Sequence, residues 1–293
     1  MRAALEARRA VVALESSVIA QGLPYPFNLQ SAHACERAIR AEGAVPATIA
    51  LVDGQVHIGC DEKILERLST EKGNRKVAIR DLGSTLADGA SGGTTVSATL
   101  LLAHRAGLSV FATGGIGGVH RGEDMDISAD LPALGAYPVL VVCAGAKAIL
   151  DLPRTLEVLE TQSVPVVGLR TRELPAFYCR SAHLPLEVHV DDEVALARLF
   201  RAHRDLGLTS AVLAVQPPPE RVALPEAQVE AAVHAALAQA EKKGIRGKRL
   251  TPFLLGAVAE VTQGRSRDAN LALLENNARA AAKAAMAFAA DNP

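Results

Sequence analysis

Short apolar runs alternate with segments of helical periodicity along most of the chain. Runs such as Val11–Leu14 and Pro138–Cys143 are almost continuously apolar, which is typical of strands buried on both faces of a parallel sheet. Segments such as Leu29–Glu42 and Pro225–Lys243 show the periodicity of helices. Asp53-Gly54 lies between two short apolar runs and predicts a hairpin. We therefore expect a three-layer α/β/α fold with a mixed, mostly parallel central sheet.

The same two periodicities predict the remaining elements. The other predicted strands are Thr48–Val52, Gln55–Gly59, Lys76–Arg80, Ser109–Thr113, Val164–Gly168, Leu186–Val190 and Ser210–Val215. The other predicted helices are Asp61–Leu68, Thr94–Arg105, Leu156–Gln162, Asp191–Arg204, Pro252–Thr262 and Arg267–Ala289. We find no internal repeat, low-complexity linker or sharp shift in composition, so we expect a single domain over residues 1–293.

Composition argues against several classes of protein. The 31 Lys and Arg residues nearly balance the 32 Asp and Glu residues, so the chain lacks the basic footprint of a protein that binds polymeric nucleic acid. The four cysteines are widely spaced and form no CxxC pair, which favours reduced core thiols over disulfides or structural zinc. The apolar runs are too short for a membrane-spanning helix or a signal peptide, which favours a cytoplasmic location without membrane contact.

Two charged residues follow predicted strands, where open α/β sheets bind their ligands. Glu15 comes directly after Val11–Leu14, so its carboxylate is a candidate general acid or base, the alternative being a solvated glutamate. Lys147 comes after Pro138–Cys143, among small and apolar residues. Burial there would favour the neutral amine, a nucleophile that forms Schiff bases with carbonyl groups. The alternative is a lysine with a packed stem and a solvated ammonium group.

Two glycine-rich segments are candidate ligand loops. Gly92–Val96 opens an apolar helix, and the unpaired N–H groups of a helix start bind phosphate. A simple N-cap by Thr94 is the alternative. Thr113–His120 follows a strand, but His120 stands where a GxGxxG dinucleotide motif starting at Gly115 needs glycine. We therefore interpret this second loop as one that lets a substrate approach the backbone.

An acidic stretch follows the second loop. Asp124, Asp126 and Asp130 supply oxygen ligands that suit magnesium or manganese, although an acidic surface loop explains their spacing equally well. His120 is a candidate metal ligand, a polar contact or a solvated residue. The stretch therefore leaves a metal site and a solvated loop as open alternatives.

Asparagines are unexpected inside the predicted C-terminal helix, because asparagine is a mediocre helix former. Asn270 and the pair Asn276-Asn277 lie there. Their presence indicates caps, interhelix hydrogen bonds or ligand contacts, and spacing alone does not choose among the three.

Motifs that carry a resemblance to a known family extend over nearly the whole chain. They are Ala13–Ser16, Gly22–Asn28, Gly93–Val96, Ala112–Gly122, Asp126–Leu131, Val142–Lys147, Leu174–Phe177, Gly247–Lys248 and Thr251–Leu255. Together they resemble the pseudouridine-5′-phosphate glycosidase family, also called the indigoidine synthase A-like family, and they occur in its order. The motifs around His120 and Lys147 are long enough to be specific. Three segments depart from the family pattern: Gly93, Gly83–Ser91 and the short loop Gly122–Asp126.

The resemblance implies a homotrimeric α/β/α enzyme that needs a divalent metal, usually Mn2+. It implies interconversion of pseudouridine 5′-phosphate plus water with uracil plus ribose 5-phosphate. It also implies Lys147 as the nucleophile, Glu15 as the proton donor and Asp126 as the metal ligand. The implied substrate-binding residues are Lys76, Thr95, Val96, Thr113, His120, Ser128, Ala129, Asp130 and Asn270.

Three alternatives to this function remain open on the sequence. One is a Schiff-base lyase or aldolase that acts on another sugar phosphate, and this enzyme would not release uracil. Another is a non-catalytic sugar-phosphate-binding protein, which needs no reactive lysine. The third, suggested by the indigoidine association, is a helper in pigment biosynthesis.

Overall fold

Buried strands and amphipathic helices alternate along the chain. The computed structural model describes residues 2–7, 9–122, 126–245, 247 and 250–290. The strands are β1 (Val11–Leu14), β2 (Val45–Val52), β3 (Gln55–Ile58), β4 (Arg75–Val77), β5 (Gly92–Thr94), β6 (Val110–Ala112), β7 (Val119–His120), β8 (Leu140–Cys143), β9 (Leu150–Asp151), β10 (Val166–Leu169), β11 (Val188–Val190) and β12 (Val212–Val215). The helices are α1 (Arg2–Glu6), α2 (Phe27–Ala41), α3 (Glu62–Thr70), α4 (Ile79–Ala87), α5 (Val96–Arg105), α6 (Asp130–Leu134), α7 (Leu152–Thr161), α8 (Glu193–Asp205), α9 (Glu226–Lys242), α10 (Leu250–Val261) and α11 (Arg265–Ala290).

Ten of these strands form one mixed sheet, as the sequence predicts. The order is β11-β10-β12-β8-β6-β1-β2-β5-β4, and β3 pairs with β2. All pairs are parallel except β2 with β3 and β2 with β5. The strands β1, β8 and β12 are buried along their whole length, which explains their continuous apolar runs. A separate two-stranded ladder joins β7 to β9.

Helices cover both faces of the sheet. The long helix α11 packs against α2 and α8 and contacts β1, β6 and β8. On the other face, α5 contacts β1, β2 and β5 and packs beside α4 and α6. This arrangement confirms the predicted three-layer α/β/α fold. Within the described ranges, no helix combines the length and the apolar content needed to cross a bilayer.

Local sequence signals explain several boundaries. The hairpin of β2 and β3 turns at Asp53 and Gly54, whose φ angles of 49° and 71° confirm the turn expected from this pair. Asp61 caps α3 by accepting a hydrogen bond from the N–H of Ile64 at 2.9 Å, also as predicted. The sequence therefore predicts both this turn and this helix cap correctly.

The segment from Lys76 to Thr94 differs from its prediction. The expected strand Lys76–Arg80 ends at Val77, and α4 follows with Gly83 in its interior, a residue that disfavours helix. The predicted helix start at Thr94 is also wrong, because Thr94 ends β5 and α5 begins at Val96. Strand β5 is glycine-rich for a packing reason: a Cβ on Gly93 would collide with the carbonyl oxygen of Ser16.

A buried asparagine joins α11 to the sheet. The Nδ2 of Asn277 donates to the carbonyl oxygens of Thr113 at 2.9 Å and Gly114 at 3.3 Å, just past the end of β6. Its Oδ1 accepts a hydrogen bond from Gln216 Nε2 at 3.0 Å, just past the end of β12. Asn277 therefore satisfies buried polar groups at two strand ends, and a helix-to-sheet bond explains its place in the helix.

We expect Asn277→Ala to lower the free energy of unfolding by about 2–3 kcal/mol, because the carbonyl of Thr113 loses its buried donor. The neighbouring Asn276→Ala is the matched control, since the Asn276 side chain is only partly buried. Its effect should stay within about 0.5 kcal/mol. Urea unfolding of both variants measures the difference. Equal losses would show that the Asn277 bonds do not carry the effect.

All four cysteines are buried free thiols, which confirms the predicted core cysteines. Burial raises the pKa of Cys35, Cys60 and Cys143 to about 12 and that of Cys179 to about 11. The thiolate is the reactive form, so these shifts suppress reaction with electrophiles at neutral pH.

We expect the native protein to react slowly with a thiol-specific disulfide reagent at pH 8. The thiolate fraction of a group with pKa 12 is roughly a thousandfold below that of a thiol with the usual value of 9.0. In denaturant, the absorbance of the released chromophore should correspond to four reacting thiols per chain. Without denaturant, the absorbance should show no rapid phase. A rapid phase whose amplitude corresponds to one thiol per native chain would contradict the burial of these groups.

Candidate functional site

A cavity of about 430 Å³ opens beyond the carboxyl ends of the central strands. Glu15 follows β1, the glycine-rich loop follows β6 and Lys147 follows β8, and these three strands are neighbours in the sheet. Because the carboxyl ends of neighbouring parallel strands lie side by side, the residues that follow them form one wall of the cavity. All but one of the residues predicted for the site line this cavity: Glu15, Lys76, Thr95, Val96, His120, Asp126, Ser128, Ala129, Asp130, Lys147 and Asn270.

The exception is Thr113, which supports Glu15 from behind. Its hydroxyl donates a hydrogen bond to Glu15 Oε1, and the hydroxyl of Ser17 donates to Glu15 Oε2 at 2.5 Å. Thr113 is buried, with 2% of its surface exposed, so direct contact with a ligand in the cavity is not what the structure shows. Its hydroxyl contacts the carboxylate of Glu15 instead. Both partners of Glu15 are neutral hydroxyls, which donate to a carboxylate or accept from a carboxylic acid.

Lys147 is held at the cavity by two adjoining loops. Its N–H donates to the carbonyl oxygen of Ile116 at 3.1 Å, and Ile116 forms a parallel bridge with Ala146. Gly145 has a φ of +86°, and a Cβ there would collide with the carbonyl oxygen of Pro175. Glycine is therefore required two residues before Lys147. The Lys147 side chain is half-buried and lines the cavity.

Asp130 joins two walls of the cavity through backbone N–H groups. Its Oδ1 accepts from the N–H of Ser97 at 2.9 Å, in the first turn of α5. Its Oδ2 accepts from the N–H of Gly117 at 2.8 Å, in the glycine-rich loop. Asp130 is only 5% exposed, so these two bonds replace the water that a carboxylate would otherwise bind.

The start of α5 carries hydroxyl groups and lines the cavity together with two basic residues. Thr95 occupies the N-cap position and its hydroxyl lies 2.9 Å from that of Ser97. Lys76, from β4, and Arg80, from α4, line the same cavity. A helix N-terminus with nearby cations is the usual setting for a bound phosphate group.

His120 and Asp126 lie together at another wall. The N–H of His120 donates to the carbonyl oxygen of Asp126 at 2.9 Å, and both residues line the cavity. Burial lowers the pKa of His120 below its usual range, and the positive charges of Lys76 and Lys147 lower it further, while Asp126 opposes them. The Nδ1 of His120 is buried and has no hydrogen-bond partner within the described part of the chain.

The oxygen and nitrogen donors near His120 bear on whether the cavity can hold a divalent metal. Asp124 lies outside the described residues, and among those that are described no group of three or more His, Cys, Asp or Glu side chains would hold a metal. A hard cation that keeps most of its water needs only one or two carboxylates. The Asp126 carboxylate fits such an ion, and the unpartnered His120 nitrogen adds a polar group beside it.

Some residues of the site were missed by sequence reasoning. Arg80 was assigned to a strand, and the contact of Ser17 with Glu15 was not foreseen although the two residues are close in sequence. Gln21 lines the cavity from a π-helical turn, Val18–Gly22, that has no periodic signal. Of the residues that carry the family resemblance, Lys248 lies outside the described ranges.

Comparison with known proteins gives a consistent result. A family model described as indigoidine synthase A like protein matches residues 1–287. A pseudouridine-5′-phosphate glycosidase from Myxococcus xanthus (strain DK1622) is 54% identical over 292 residues, which cover 99% of this chain and 96% of the relative. One from Caldanaerobacter subterraneus subsp. tengcongensis is 52% identical over 288 residues, covering 98% and 94%.

Solved structures have the same fold. The prealnumycin C-glycosynthase AlnA in complex with ribulose 5-phosphate matches with a TM-score of 0.90 and 43% identity, over 98% of this chain and 94% of that one. An indigoidine synthase A-like protein from Thermotoga maritima matches with a TM-score of 0.91 and 32% identity, over 96% and 94%. Because sequence and fold agree over nearly the whole length, this chain belongs to the family of indigoidine synthase A-like proteins and pseudouridine-5′-phosphate glycosidases.

Proposed function

We propose that this protein is a pseudouridine-5′-phosphate glycosidase that uses Lys147 as a nucleophile and Glu15 as a proton donor. The observation that carries the proposal is that both side chains line one cavity, which Lys76, Arg80 and the start of α5 also line. Relatives of that name are about half identical to the chain over nearly its full length. The predicted homotrimer and the cytoplasmic location remain predictions.

The chemistry of the substrate explains why a lysine is needed. Pseudouridine joins C1′ of ribose to C5 of uracil, so the pair of carboxylates used for ordinary glycosides is poorly suited. The amine of Lys147 bonds to C1′ while the bond from C1′ to the ring oxygen breaks, and the ring oxygen takes the proton that the amine loses. Glu15 then protonates C5 of uracil, and the C1′–C5 bond breaks as the lysine nitrogen becomes an iminium. Water hydrolyses the iminium and releases ribose 5-phosphate.

The environment of Glu15 supports its role as a proton donor. Its two oxygens contact the hydroxyls of Thr113 and Ser17, which are uncharged and can reverse their hydrogen bonds when the carboxyl gains or loses a proton. Asp130, in contrast, has both oxygens bound to backbone N–H groups, which can only donate. Of these two carboxylates, Glu15 is therefore the one suited to proton transfer.

The phosphate end of the substrate would lie at the start of α5. Lys76, Arg80 and the amide of Val96 are the groups there that attract or donate to an anion. Ser128 and Ala129 line the same cavity, beside Asp130. Binding the phosphate far from C1′ orients the sugar for attack, because remote binding energy is used for positioning.

A divalent cation, Mn2+ in our proposal, would be held by Asp126 next to His120. The chemistry such an ion supplies is to order water and polarise nearby oxygen atoms. Burial lowers the pKa of His120, which favours the neutral imidazole beside the proposed ion.

Synthesis of a C-glycoside is a second candidate function. The AlnA structure, at 43% identity, is a C-glycosynthase bound to ribulose 5-phosphate. Formation and cleavage of the same C–C bond would use the same lysine and the same proton donor, because the two are forward and reverse directions. Incubating the protein with ribose 5-phosphate and a panel of aromatic acceptors distinguishes the candidates by the product formed.

Variants of the two proposed groups should fail at different steps. Lys147→Ala should lower uracil release by roughly a thousandfold or more while substrate still binds. Glu15→Gln should lower it by about 10²- to 10⁴-fold. With ribose 5-phosphate and borohydride, Glu15→Gln should still trap an adduct on Lys147, because forming that imine needs no proton at uracil C5. Lys147→Ala should trap none at that position by mass spectrometry.

Matched controls come from the exposed face of α3. Lys63→Ala and Glu66→Gln change the same kinds of charge at a distance from the cavity, and both should keep normal turnover. Normal uracil release by Lys147→Ala would exclude the lysine mechanism. If wild-type protein traps the adduct but releases no uracil, a lyase acting on another sugar phosphate is favoured. If it binds the substrate but neither traps an adduct nor releases uracil, a non-catalytic binding protein is favoured.

Metal removal should abolish turnover, and Mn2+ should restore it. Asp126→Asn should weaken Mn2+ binding by at least about tenfold, because it removes the charged oxygen ligand. Titration of Mn2+ followed by electron paramagnetic resonance measures binding without reliance on activity. Asp205→Asn, at the exposed end of α8, is the control and should bind Mn2+ normally. Full turnover after exhaustive chelation would remove the metal from the proposal.

A further inference from the structure

A guanidinium group bridges three segments next to the cavity. Arg121 directly follows His120 and forms a two-point ion pair with Glu230 on α9, with Nη1 to Oε2 at 2.7 Å and Nη2 to Oε1 at 2.8 Å. The same guanidinium donates from Nε to the carbonyl oxygen of Leu150 and from Nη2 to that of Ala148, both at 3.2 Å. It therefore links the His120 segment and α9 to the loop after Lys147.

The loop that Arg121 holds begins at the proposed nucleophile. The carbonyl oxygen of Lys147 accepts from the N–H of Leu150 at 3.0 Å, which closes a turn over Lys147–Leu150. Two carbonyl groups of this turn, those of Ala148 and Leu150, point at Arg121. On the other side, the N–H of Lys147 is bound to Ile116 at 3.1 Å. The backbone of the nucleophile is thus fixed from both directions.

We propose that Arg121, locked by Glu230, is a positioning residue that fixes the backbone turn after Lys147 and so aims its amine at the substrate. This inference rests on the proposed lysine mechanism. Lysine has a flexible four-carbon stem, so the direction of its amine depends on how firmly the backbone is held. A misplacement of about 1 Å in an enzyme site lowers rate by up to about 10²-fold.

The fork shape of arginine is essential to this role. One planar group reaches a carboxylate with two parallel N–H bonds and has further N–H groups for the carbonyls. A lysine at position 121 would carry the charge but lacks that geometry. The hydrogen bonds from Arg121 also lower the pKa of Glu230, so the ion pair persists at neutral pH. The side chains of Arg121 and Glu230 are 24% and 42% exposed, so the pair is partly shielded from water.

The test compares Arg121→Ala, Arg121→Lys and Glu230→Gln with wild-type protein. Arg121→Ala should lower kcat for uracil release from pseudouridine 5′-phosphate by roughly 10- to 100-fold, with KM changed by less than about threefold. The rate of borohydride trapping of ribose 5-phosphate at Lys147 should fall in parallel. Arg121→Lys should not rescue kcat, and Glu230→Gln should lose less than Arg121→Ala because the arginine still reaches both carbonyls.

Arg67→Ala provides a matched control. Arg67 also forms a two-point ion pair, with Asp53 at 2.9 and 3.0 Å, but neither residue lines the cavity. Its loss should leave kcat and trapping unchanged. Arg121→Ala with kcat within twofold of wild type would overturn the proposal, as would an equal fall in Arg67→Ala or a full rescue by Arg121→Lys. If Arg121→Ala does not fold, the kcat and trapping criteria apply to Arg121→Lys, which keeps the charge but not the fork of N–H donors.

Amide hydrogen exchange separates this inference from the proposed function. Peptides that span residues 144–152 should exchange faster in Arg121→Ala than in wild type, and those around Arg67 should not. This readout does not depend on turnover. If wild type neither releases uracil nor traps ribose 5-phosphate, the proposed function fails, and the exchange data still show whether Arg121 holds the turn. Unchanged exchange in Arg121→Ala would overturn the positioning role by itself.

Discussion

The site depends on the parallel alignment of three neighbouring strands, β8, β6 and β1. Their register pairs Leu14 with Ala112 and Ala112 with Val142, so the three strands end at the same level. Glu15 and Thr113 follow directly, and the N–H of Ala144 extends the contact by donating to Gly114. A one-residue slip of β1 would turn the Glu15 side chain to the opposite face of the sheet. These strands are buried between helices on both faces, so side-chain packing in the core holds the level at which they end.

Close backbone approaches then shape the cavity. Gly93 brings β5 against the carbonyl of Ser16, and Ser16 Oγ in turn accepts from the N–H of Thr94 at 2.9 Å. This contact places the start of α5, where we propose that the phosphate binds, close to Glu15, the proposed proton donor. Gly145 has the corresponding role for Lys147, because it lets the loop after β8 pass under the segment around Pro175. A side chain at either glycine would push apart segments that form the cavity walls.

The sequence predicted what depends on periodicity and short-range chemistry. Local features could be predicted because each involves residues close together in the chain. They include the buried strands, the Asp53-Gly54 turn and the Asp61 cap. The position of Glu15 and Lys147 at one cavity followed from the general rule for strand ends. Helix α4 was missed because Gly83 weakens its helical signal. The bonds that orient the site could not be predicted, since Arg121 meets Glu230 across 109 residues and Thr113 meets Glu15 across 98.

The carboxylates of the cavity differ in what their partners allow, and this difference bears on mechanism. Asp130 is bound by N–H groups that only donate, so protonation would cost it a hydrogen bond. Glu15 contacts hydroxyls, which can either donate or accept a hydrogen bond. Its hydrogen-bond partners therefore suit both the carboxylate and the carboxylic acid. Enzymes that cleave ordinary glycosides usually use a pair of catalytic carboxylates. A cavity that holds such a carboxylate together with the amine of Lys147 suits the mechanism that we propose, because nitrogen can carry the electron deficit as an iminium.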